Sequence, residues 1–158
     1  MPEKHRLASL LAMGAMGVAC MHAAATPVES YRTQLFNLLD KSPSVVDGKR
    51  HYQADFAKQF DALLASSSLA RADKTGVPLK KRLLSGPAPE PALLAEPATG
   101  RQWLVYDACQ AHRCDEISLR LLYDPASRRM VGKLNLDKQS EFLGTPSAAE
   151  ERLLGQAR

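Results

Sequence analysis

The chain has 158 residues, 45% of them hydrophobic, with 21 Lys and Arg against 17 Asp and Glu and a formal net charge of +4 at neutral pH. This is the composition of a globular protein, and the length leaves room for one domain with a real core but hardly for two. The positive excess is small and no stripe of Arg and Lys interleaved with aromatics occurs, which argues against nucleic acid as a partner.

Residues 1–25 read as a secretory signal peptide. Lys4 and Arg6 precede an uncharged run from Leu7 to Cys20, and Ala23-Ala24-Ala25 supplies the small residues of a cleavage site. The run is short for a bilayer span and no basic stop follows it, which predicts cleavage after Ala25 and export to the periplasm. The mature domain, residues 26–158, then carries +3, because Glu3, Lys4 and Arg6 leave with the leader. Val18-Ala19-Cys20 partly matches the bacterial lipoprotein box, with Gly17 where Leu is usual. Lipidation at Cys20 is therefore the alternative, and the one route by which the chain would be held on a membrane.

Two helices come first. Tyr31, Leu35, Leu38 and Leu39 fall at i, i+4, i+7 and i+8, and Phe56, Phe60, Leu63 and Leu64 repeat the spacing, so each segment carries one apolar stripe for a core. Ser42-Pro43-Ser44 and Asp47-Gly48-Lys49 separate them as turn material. After Ser66-Ser67-Ser68 the pattern fades. Lys80-Lys81-Arg82, the one basic cluster, reads as a solvated turn. The segment from Gly86 to Gly100 holds Pro87, Pro89, Pro91 and Pro97, and so is a loop or an extended edge rather than a helix interior or central strand.

The period then changes to two. Trp103 to Ala108 is apolar enough for burial on both faces, whereas Ile117, Leu119, Leu121 and Tyr123 alternate with Ser118, Arg120, Leu122 and Asp124. A third run sets Met130, Leu134 and Leu136 against Lys133, Asn135 and Asp137, with a turn at Asp124-Pro125-Ala126-Ser127 before it. These three runs predict an antiparallel meander. A short last helix follows, with Thr145 as N-cap, Pro146 at the first helical position and Leu153 and Leu154 on its apolar side. The expected fold is α+β, an antiparallel sheet flanked by helices in a single domain.

The chemistry concentrates in Cys109-Gln110-Ala111-His112-Arg113-Cys114, the connection of the first hairpin. With Cys20 removed or acylated, Cys109 and Cys114 are the one internal pair an oxidising compartment can join. So short a ring stabilises by only about 2 kcal/mol through chain entropy, and its larger effect is to stiffen the loop. Gln110, Ala111, His112 and Arg113 are expected to project. An exposed His112 donates from one or both ring nitrogens and gains positive charge beside a carboxylate, and Arg113 adds a planar, permanent cation. Both suit a partner that gathers carboxylates. The plainer reading is a braced turn with solvated side chains.

The segment from Val77-Pro78 through Gly86, Pro91, Gly100, Trp103 and the cysteine loop to the strand Ile117 to Tyr123 resembles the Ivy family, the bacterial inhibitors of vertebrate lysozyme. The family signature is a Cys-Lys-Pro-His-Asp-Cys loop after a strand in a secreted chain of this size, and the resemblance extends more weakly to Leu143-Gly144-Thr145-Pro146 and to the N-terminal helix. It implies a loop that enters the active-site cleft of C-type lysozyme, with His112 against the catalytic carboxylates and Cys109 and Cys114 closing the ring. It implies no enzyme activity, cofactor or metal. Gln110, Ala111 and Arg113 stand where the family has Lys, Pro and Asp.

Other classes fit less well. A redox enzyme of thioredoxin type has two residues between its cysteines at a helix start, not four between strands. Zinc binding would draw on only His51 and His112 beside the cysteines, and no nucleophile elbow or metal-binding helix motif marks a hydrolase. The nearest competitor is a periplasmic binding module of the same fold that acts on a bacterial muramidase rather than an animal lysozyme. An edge strand or the Pro-rich segment also offers a surface on which two copies can pair as a homodimer.

Overall fold

Alternation along Ile117–Asp124 divides the molecule. One set of side chains on this strand faces a large helical layer and the other a smaller one, so the sheet is buried on both sides over part of its area. The computed structural model describes residues 28–156; the signal peptide at 1–25 and the Cys20 site lie outside them. After a 3-10 turn at Val28–Tyr31 come α1 (Leu35–Leu39), α2 (Ala54–Ser66), α3 (Ser68–Ala72) and α4 (Leu79–Leu83). Then follow β1 (Ala92–Ala95), β2 (Gln102–Cys109), β3 (Ile117–Asp124), β4 (Arg129–Leu136), β5 (Gln139–Leu143) and α5 (Ala148–Gly155).

The strands form one antiparallel meander in the order β1-β2-β3-β4-β5, and the fold is α+β. Tyr106 lies opposite Leu121, and Leu119 opposite Leu134, which puts the inward residues of neighbouring strands on one face. That face packs Leu104, Tyr106, Leu119, Leu121 and Tyr123 against Leu35, Leu38, Phe56 and Phe60 from α1 and α2. On the opposite face Trp103, Val105, Leu122 and Val131 meet Leu153 and Leu154 of α5. Since α5 covers only that end, the polar half of the face, with Asp107, Ser118, Arg120, Lys133 and Asn135, remains open beside the first hairpin connection.

Several elements differ from expectation. The first stripe is not one helix but a 3-10 turn and α1, although Tyr31, Leu35 and Leu38 are all buried as the spacing requires. The Tyr31 carbonyl accepts from the Tyr106 hydroxyl at 2.6 Å, so it is taken by the core rather than by a helix. The last helix is capped by Ser147, not Thr145, and Pro146 precedes it. Ser147 Oγ accepts from the Glu150 amide at 3.3 Å and the Glu150 carboxylate accepts from the Ser147 amide at 2.8 Å, a reciprocal box that Thr145 does not make. The meander has five strands rather than three. β1 emerges from the Pro-rich segment as an edge, and β5 follows β4 through the two-residue turn Asp137-Lys138. Lys80-Lys81-Arg82 is helical, within α4, with Arg82 turned inward and only 8% exposed.

Candidate functional site

The connection from β2 to β3 is closed by a disulfide between Cys109 and Cys114, whose Cα atoms are 4.9 Å apart. Inside the ring the Arg113 amide donates to the Gln110 carbonyl at 3.0 Å, and the Gln110 and Ile117 backbones bond to each other and to Arg113 across the base. This tight turn needs one residue in the left-handed region, and His112 takes it with φ of 64°. Its side chain is exposed and has no hydrogen-bond or ionic partner among the described residues.

The other three ring residues do not project as His112 does. Gln110 is half-buried, and its side-chain oxygen accepts from Arg82 Nε at 2.8 Å. The Ala111 amide donates to Ser85 Oγ at 3.1 Å. Arg113 folds back, donating from Nε to Glu116 at 2.6 Å and from Nη2 to Asp137 at 2.8 Å. The hydrogen bond to Glu116, together with the charges of Glu116 and Asp137, pushes the guanidinium further above its ordinary range. Arg113 is thus engaged within the protein rather than held out for a partner.

A second layer lies beneath the ring. Arg82 donates from Nη1 to Asp73 and to Thr75 Oγ1, the latter at 3.0 Å. Ser85 donates its hydroxyl to the Arg82 carbonyl at 2.6 Å while accepting from Ala111, and the Gly86 amide donates to the Cys109 carbonyl at 3.0 Å. Residues 82, 85 and 86 therefore hold residues 110, 111 and 109 in turn. The basic cluster was the one sequence signal for this layer; nothing in the spacing of Asp73, Ser85 or Asp137 marks them.

Of the acidic residues flanking the loop, Asp107 pairs with Arg120 at 2.8 Å and Glu116 with Arg113, and Asp115 is an exposed carboxylate. The open sheet face forms a groove of about 870 Å³ lined by both cysteines together with Asp107, Arg120, Lys133 and Asn135. His112 lines neither this groove nor the smaller recess between Arg82 and the ring. It stands on a crest.

Among the described residues no three His, Cys, Asp or Glu side chains gather as a metal site, and no helix is long and apolar enough to cross a membrane. His51, the other histidine among the described residues, is bonded to Asp47 at 2.7 Å, four residues away in the same loop. Comparison with protein-family models, with curated proteins and with solved structures returns no match. What the loop offers a partner is therefore set by its own geometry and residues.

Proposed function

We propose that the exported protein inhibits C-type lysozyme by inserting the Cys109–Cys114 loop into the active-site cleft, protecting the cell wall from lysis. The observation that carries this reading is His112, an unpartnered imidazole raised on the crest of a covalently closed ring. A recessed imidazole serves chemistry inside its own protein, whereas a protruding one is placed to enter a recess in another. Lysozyme-type hydrolysis requires one protonated carboxyl and one ionised carboxylate on either side of the sugar. An imidazole between them excludes the sugar, donates to the ionised group and disturbs the unequal protonation on which the reaction depends. The ring lowers the ordering cost of the insertion.

Charge near the tip bears on the encounter. The whole chain is basic, as typical animal lysozymes are, and two basic surfaces slow encounter. Around the loop, however, Glu116 and Asp137 offset Arg113, and Asp115 adds an exposed negative charge beside His112. Lys81, in the recess beside Gln110 and Ala111, and Lys138, next to Asp137, balance these carboxylates, so the approaching end carries no marked charge of either sign.

The test is a lysis assay in which the purified mature protein is titrated against C-type, goose-type and bacterial muramidases. Stoichiometric loss of C-type activity is expected. Selective loss of bacterial muramidase activity would move the protein to a different partner, and full activity of every enzyme would refute inhibition.

A further inference from the structure

We propose that Arg82 is the positioning residue for the presented imidazole, and that the disulfide alone does not fix it. This rests on the reading of His112 given above and carries it down into the scaffold. A disulfide ties the ends of a ring but leaves its crest with backbone freedom. The crest here, Ala111-His112, includes a left-handed residue reached by a local flip of the chain. Something must hold the residues before it.

Arg82 has the geometry to do so. It is the buried member of an otherwise outward-facing cluster: Lys81 is exposed and Lys80 reaches across to Asp61 at 2.6 Å. A buried guanidinium requires an anion, and Asp73 supplies one. The charge is satisfied without the ring, yet Nε is aimed at Gln110 Oε1. The planar fork of arginine makes this combination, since Nη1 and Nε leave in fixed directions and locking one locks the other. Gln110, normally a freely rotating side chain, is pinned inboard. The Gln110 backbone carbonyl accepts from the Arg113 amide, which completes the turn under His112. Arg113 braces the other flank through Asp137, so His112 stands between two guanidinium struts.

The experiment uses the full mature protein with three variants, Gln110→Ala, Arg82→Lys and the double variant. Two readouts are taken: amide exchange at Ala111, His112 and Arg113, and the inhibition constant against C-type lysozyme. Gln110→Ala should speed exchange in the ring and weaken inhibition about tenfold, the ordering cost of a loosened side chain and turn. The fold should survive with a lowered melting temperature, because the substitution leaves Arg82 paired to Asp73 and takes the acceptor from its Nε alone. Arg82→Lys keeps the charge but loses the fork, and should reproduce the faster exchange. The double variant should be no worse than the singles, as expected for one shared interaction. Parent-like exchange and inhibition in Gln110→Ala would overturn the proposal, even if Arg82→Lys failed to fold. Should the parent inhibit no lysozyme, the functional reading fails while ring exchange still decides the role of Arg82.

Discussion

Gly86 and Cys109 approach so closely that no other residue fits between them: the Gly86 amide donates to the Cys109 carbonyl at 3.0 Å, and a Cβ built on Gly86 would lie 2.4 Å from that oxygen. The atom in the way is backbone, in a strand already paired to β3, so it cannot move aside as a side-chain tip would. Gly86→Ala should therefore destabilise the fold by about 1–3 kcal/mol, the range for overpacking, and should shift the ring. Urea unfolding measures the first effect and the inhibition constant the second. An alanine variant as stable as the parent would mean that the segment after α4 does not press on the ring.

At His112 the choice of substitution matters, because φ is 64°, a region that Asn, Asp and His enter more readily than alanine does. Asparagine tolerates the left-handed region and keeps a polar tip. His112→Asn should leave urea stability within about 0.5 kcal/mol of the parent, since the side chain is exposed and unpartnered. Inhibition should fall about a hundredfold if the imidazole is the central anchor of the interface. Equal inhibition constants for His112→Asn and the parent would remove the histidine from the mechanism.

The loop was legible where covalent and periodic signals coincide. Two cysteines and a change of period from helical to alternating place the ring at a hairpin and His112 at its tip, and the alternation of Ile117 to Tyr123 sets the sheet register. Arg82 was misread because a run of Lys-Lys-Arg looks solvated in any window; what turns the third residue inward is Asp73, nine residues earlier, and Gln110, far later in the chain. The proline after Thr145 is a strong helix-start signal and points to Thr145 as the cap, yet the reciprocal bonds of Ser147 and Glu150 decide the boundary. β5 was missed because Gln139–Leu143 has too few apolar residues to alternate convincingly, and its turn depends on the left-handed backbone at Asp137. The expected signal peptide at 1–25 and its alternative, lipidation at Cys20, lie outside the described residues.

Glu141 gives the fold an acid-sensitive joint between β5 and the start of α3. Partial burial works to raise its carboxyl, but the hydroxyl of Ser67, the amides of Ser68 and Leu69 and the hydroxyl of Ser68 outweigh it and hold it down to about 2. A carboxyl depressed on folding contributes in full above its ordinary range near 4.5, and the contribution is lost as pH falls toward 2. Glu150, lowered by its bond from Arg129 against its own burial, adds to the same acid loss at α5. Glu141→Gln should lower stability at pH 7 and flatten the decline of urea stability between pH 4.5 and 2. A parallel decline in variant and parent would show that other carboxylates carry the acid dependence.

Arg113 stands where the Ivy loop that this ring resembles has aspartate, and an aspartate at this position should harm this protein. Arg113 lies between Glu116 and Asp137, bonded to both. Arg113→Asp would remove the cation bonded to Glu116 and Asp137 and set three carboxylates around the exit of the ring, next to a fourth at Asp115. All are largely exposed, so the repulsion is screened and should grow as salt is withdrawn. The expected result is a lower melting temperature at low ionic strength that recovers in high salt, with faster amide exchange across residues 110–117. Adding Asp137→Lys to Arg113→Asp reverses the polarity of the pair and should restore both. If Arg113→Asp instead matches or exceeds the parent in stability at low salt, Glu116 and Asp137 are not its structural counterparts, and the second strut beside His112 is absent.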